Sequence, residues 1–102
     1  MSDIDILRES DAARGWTFEA SLSGPSGSRT VHLHMSWVDY NIWSVDGGDR
    51  PADVARAVLR FLAEQEPVLE WADRIDAAQL RRRYPDADRA IPSLIERSGP
   101  TL

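Results

Sequence analysis

The apolar residues of this chain change their spacing half-way along it, and that change limits the fold more than any other feature. Trp16, Phe18, Ala20 and Leu22 alternate with Thr17, Glu19, Ser21 and Ser23, the period of a strand that buries one face. A second alternating run turns Val31, Leu33, Met35 and Trp37 one way and His32, His34 and Ser36 the other. "SGPSGS", residues 23 to 28, joins the runs as a loop rich in Gly, Pro and Ser, so the pair reads as an antiparallel hairpin. "WVDYN", residues 37 to 41, reads as a turn, and "IWSV", residues 42 to 45, as a short third strand ending at "DGG".

Past Pro51 the period becomes helical. Val54, Ala55, Val58, Leu59 and Leu62 fall on one face, with Asp53, Arg56, Arg60 and Glu64 opposite. Pro51 suits the first helical position, where a missing N–H costs nothing. Pro67 ends this helix near Gln65 or Glu66 and opens a short one, "PVLEWADRI". Asp76 and Gln79 resemble a capping box opening "AAQLRRRY", which stops before Pro85. A last helical stretch, "DADRAIPSLIERSG", is expected to kink or split at Pro92 and to end at Gly99. Strands followed by helices argue for an α+β fold, an N-terminal three-stranded antiparallel meander covered on one face by three to four C-terminal helices. The expected division is one domain over residues 1–102, with 1–14 an arm or edge strand carrying Ile4, Ile6 and Leu7, 15–45 the sheet, and 51–98 the helical half.

Composition closes off several chemistries. There is no cysteine, so disulfides, thiolate nucleophiles and Cys-type metal sites are excluded. All twelve basic residues are arginine and lysine is absent, which rules out Schiff-base chemistry and a phosphate-loop lysine. Seventeen acids give a net charge of -5, which repels polyanions and makes nucleic acid an unlikely partner. The start "MSDIDILRES" lacks the apolar core of a leader, and no run approaches the ~18 apolar residues of a membrane span. A cytoplasmic protein without membrane contact is expected.

Three groups of residues carry candidate chemistry. His32 and His34 share a strand face, and the hairpin register forces Glu19 onto it, so these three could form part of a metal site. Arg81, Arg82 and Arg83 with Tyr84 close a helix, where they could clamp phosphates of a nucleic acid; helical geometry spreads three consecutive side chains about 100 degrees apart, however, and Asp86 and Asp88 follow them. Trp37, Tyr40, Trp43 and Trp71 lie in turns and short elements rather than on the buried stripes, and surface aromatics are the usual anchors of protein interfaces. No nucleophile elbow or paired-carboxylate motif stands out, and no cofactor is implied.

The order of landmarks resembles that of a group of short prokaryotic proteins of unassigned activity. The matching residues are Trp16 and Phe18, Tyr40, Gly47 and Gly48, Pro51, Phe61 and Leu62, Glu64, Glu66 and Pro67, Ile75 and Asp76, then Tyr84 and Pro85, over residues 15 to 86. Ala63, Gln65 and Arg83 depart from the pattern. The resemblance implies a fold class and transfers no activity. The expected function is that of a small non-catalytic interaction module, an accessory, adaptor or inhibitor-like subunit, which meets another protein or a second copy of itself through Trp37, Tyr40, Trp43 and Trp71. A nucleic-acid binder on the arginines and a metal-dependent enzyme on the histidine face are the alternatives.

Overall fold

Alternation in the first third of the chain builds a sheet longer than the two expected strands. In the computed structural model, which describes residues 3 to 24 and 27 to 95, β1 (Asp3–Ala12), β2 (Gly15–Gly24) and β3 (Gly27–Ser36) form an antiparallel meander. The N-terminal segment is therefore an edge strand, with Ile4 opposite Leu22 and Ile6 opposite Ala20. A register shift between Ile6 and Arg8 leaves Leu7 unpaired and 57% exposed, a bulge of the kind that bends an edge strand. At the β1–β2 turn Gly15 lies against β3: a Cβ there would stand 2.2 Å from the Met35 carbonyl oxygen.

The expected third strand at 42–45 is instead helical. α1 spans Trp37–Trp43, because Ser36 and Asp39 close a capping box: the Asp39 N–H donates to the Ser36 hydroxyl, and the Ser36 N–H donates to the Asp39 carboxylate, both at 3.1 Å. α2 follows at Pro51–Gln65 with proline in its first turn. The expected helix over "PVLEWADRI" is also corrected. It is a 3-10 turn, Val68–Glu70, followed by β4 (Arg74–Asp76), which pairs parallel to β3 with Leu33 beside Ile75. The sheet order is β1-β2-β3-β4.

Asp76 then caps α3 (Ala77–Arg83), accepting from the Ala78 N–H at 2.9 Å. α4 (Ala87–Leu94) holds Pro92 near its end and stops at Leu94; Gly99, the expected stop, lies outside the described residues. The class is α+β, as periodicity implies. Phe18, Leu22, Val31, Leu33 and Met35 on one side of the sheet are buried together with Val54, Val58, Leu59 and Phe61 of α2 and Ile91 of α4. Ser28, Thr30 and His32, on the other side, are exposed. Among the described residues no helix is long and apolar enough to cross a membrane.

Candidate functional site

The four aromatic residues singled out in the sequence do not share one surface. Trp43 is fully buried and Trp71 only 4% exposed. Both belong to the core, because each indole fills space between elements while its one polar atom finds an acceptor. The Trp43 N–H donates to Asp88 Oδ1 at 3.0 Å, and that of Trp71 to the Glu66 carbonyl at 3.2 Å. Tyr40 is half-buried, its ring edge-on to Trp16 at 5.4 Å, with its hydroxyl in reach of the Gly47 and Asp49 carbonyls. Only Trp37 is open to solvent, at 54% exposure.

Trp37 is nevertheless not alone. Val38 (64% exposed), Ile42 (38%) and Val45 (83%) join it. Positions 37, 38, 41 and 42 fall on one side of a helix, so α1 turns Asp39, Tyr40 and Trp43 inward while Trp37, Val38, Asn41 and Ile42 look out. Val45 extends the apolar stripe beyond the helix. An exposed charged residue stands near each end of this segment: the Arg14 carbonyl accepts the Trp37 N–H at 2.8 Å, and Asp46 directly follows Val45.

The inward side of α1 is fastened by a charge network. Asp39, almost fully buried, pairs with Arg81 at 3.3 Å, and Arg81 grips Asp88 through two bonds of 2.8 and 3.0 Å. The hydrogen bond from Arg81 holds the Asp88 carboxyl below the usual carboxylate range, against desolvation, and the Trp43 indole adds to it. One side of a seven-residue helix is thus fixed to α3 and α4 while the other stays uncovered.

The same network alters the reading of the arginine run. Arg81 faces Asp39 and Asp88. Arg83 pairs with Glu66 and lies over the Tyr84 ring at 5.3 Å. The Tyr84 hydroxyl donates to the same Glu66 carboxylate, and that bond, more than burial, raises its pKa. Among the described residues Arg82 alone of the three has no carboxylate partner, so the run does not form one phosphate clamp.

On the open face of the sheet Glu19 lies opposite His32, as the hairpin register requires, and Thr17 opposite His34. Among the described residues, however, no three His, Asp or Glu side chains are grouped so that they could hold a metal ion. Glu19, His32 and His34 share a face but, among the described residues, form no ligand cluster. His32 and His34 do line a groove with Thr17, Asp73, Arg74 and Ile75.

Sequence reasoning passed over Val38, Ile42 and Val45 because residues 42 to 45, apolar but for Ser44 and followed by Asp-Gly-Gly, read as a short strand. The signal that could have placed them is Ser36-x-x-Asp39, a helix start in front of an apolar run. Comparison with protein-family models, curated proteins and solved structures returns no match for this chain.

Proposed function

We propose that the chain is a non-catalytic protein-interaction module, and that the surface through which it acts is the outward side of α1, seated on a second copy of the same chain. The observation that carries this reading is the contiguous exposure of Trp37, Val38, Ile42 and Val45 on an element whose other side is fixed by buried groups. Large apolar side chains grouped in the open are what interfaces use, whereas scattered single ones need no explanation.

Charge selects the occupant. The stripe has Arg14 at its start and Asp46 at its end. A two-fold pairing with the helices antiparallel sets each Arg14 against the other copy's Asp46, and such a contact is self-complementary in the way a symmetric dimer requires. Four apolar side chains cover far less than the ~800 Å2 per partner of a standard interface, so the dimer is reversible. Accessory and adaptor roles follow naturally from a module of this kind.

Analytical ultracentrifugation of the whole chain over a wide concentration range tests the reading. A monomer–dimer equilibrium with a micromolar dissociation constant is expected, abolished by Val38→Asp and by Val45→Asp while circular dichroism stays unchanged. A monomer at every concentration up to about 1 mM, where the binding free energy would be weaker than about -4 kcal/mol, overturns it, as does a dimer that both variants leave intact.

A further inference from the structure

The open face of the sheet is not flat. Thr17 of β2, His32 and His34 of β3, and Asp73, Arg74 and Ile75 at β4 line one groove of about 440 Å3. Arg29 shapes it. Its guanidinium donates to the Val68 and Leu69 carbonyls at 3.0 and 3.1 Å and bridges Asp73 at 2.8 Å. The His32 N–H donates to the Asp73 carbonyl at 2.8 Å. These bonds clip the segment before β4 onto β3 and set Arg74 beside His32 and Asp76 beside His34 in the sheet register.

The acids around the groove are already engaged or faced by a cation. Asp73 pairs with Arg29, and Asp76 accepts the Ala78 N–H. Glu19 faces His32 from β2, and Arg8 faces Glu19 from β1. Arg74 is exposed, and among the described residues its side chain has neither a hydrogen bond nor an ion pair. Arg74, His32, His34 and Thr17 thus line one concavity, whose one lining acid, Asp73, is held by Arg29, in a chain of net charge -5.

We infer that this groove is a binding site for a small phosphate monoester. The guanidinium fork matches two oxygens of a tetrahedral oxyanion. Thr17 and the two imidazoles supply donors for the remaining oxygen and the ester, more than a two-oxygen carboxylate can use. The site is independent of the outward side of α1.

The test is a titration of the full chain with phenyl phosphate, followed by calorimetry and by backbone amide NMR. Shifts centred on Thr17, His32, His34 and Arg74 are expected, with affinity about tenfold weaker in Arg74→Gln. His34→Gln is expected to weaken binding while leaving the Arg74 contribution in place. Benzoate serves as the carboxylate control and is expected to bind more weakly. Shifts elsewhere, affinity unchanged by Arg74→Gln, or benzoate binding as tightly as phenyl phosphate would each overturn the assignment. The Arg74→Gln variant keeps the backbone pairing of β4 with β3 and removes no side-chain hydrogen bond or ion pair of the described residues, and its circular dichroism is expected to match the wild type.

Discussion

Gly15 occupies a position closed to any side chain, since an added Cβ would meet the Met35 carbonyl at 2.2 Å and the Ser36 Cα at 2.6 Å. Both atoms belong to the backbone of β3 and cannot swing aside. Gly15→Ala is expected to cost about 2 kcal/mol or more in urea unfolding, in the range of overpacked cores. The two tryptophans of α1 offer an opposite pair of outcomes. Trp43→Ala removes a fully buried indole and its bond to Asp88, and a loss of about 3–5 kcal/mol is expected. Trp37→Ala removes a half-exposed ring and is expected to change monomer stability by no more than about 0.5 kcal/mol. Equal effects in the same denaturation series would contradict the placement of these residues. Nothing local distinguished the two tryptophans in the sequence: both stand in the same short segment, and only the identity of the element between them decides which one turns inward.

That element, α1, depends on a short-range signal set against a misleading one. Ser36 and Asp39 cap the helix, and Ser36→Ala is expected to destabilise the protein by about 1 kcal/mol, read from the denaturation midpoint. Residues 42 to 45 read as a strand because a four-residue apolar run is too short to separate the two periods. β4 was missed for a different reason. Its three residues pair with β3 across some forty positions of chain, and a partner so distant leaves no periodicity behind. The long elements β2, β3 and α2 were legible because each shows its buried face several times over. The Glu19 position opposite His32 was legible too, as a direct consequence of hairpin register. The charge network that fastens α1 to α3 and α4 gives a pH signature. Asp88 has a folded pKa below its unfolded value of about 3.9, so its stabilising contribution is present above that value and fades as the pH falls through the lower, folded pKa. Asp88 is 43% exposed, which keeps the contribution modest. Asp88→Asn is expected to lower the melting temperature at pH 7 and to flatten the loss of stability as the pH falls below about 4; an unchanged acid profile would show that Arg81 does not hold the carboxylate.

At the scale of the whole molecule, one side of the sheet is sealed by helices, the opposite side carries the histidine groove, and α1 presents an uncovered apolar stripe at another place on the surface. Fold class was readable from the order of periods, while the surfaces were not, because exposure depends on which elements pack together. The chain has neither cysteine nor lysine, and the exposed stripe of α1 with Arg14 and Asp46 near its ends is the basis of the proposed self-pairing. Charge reversal at the two ends of the stripe addresses that claim most directly. In sedimentation equilibrium, Arg14→Asp alone is expected to weaken the dimer about tenfold, because it sets two carboxylates against each other at both ends of the pair. Adding Asp46→Arg to the same chain is expected to restore the wild-type association. A double variant that stays as weak as the single one, or a single variant that dimerises as the wild type does, would contradict antiparallel self-pairing through α1.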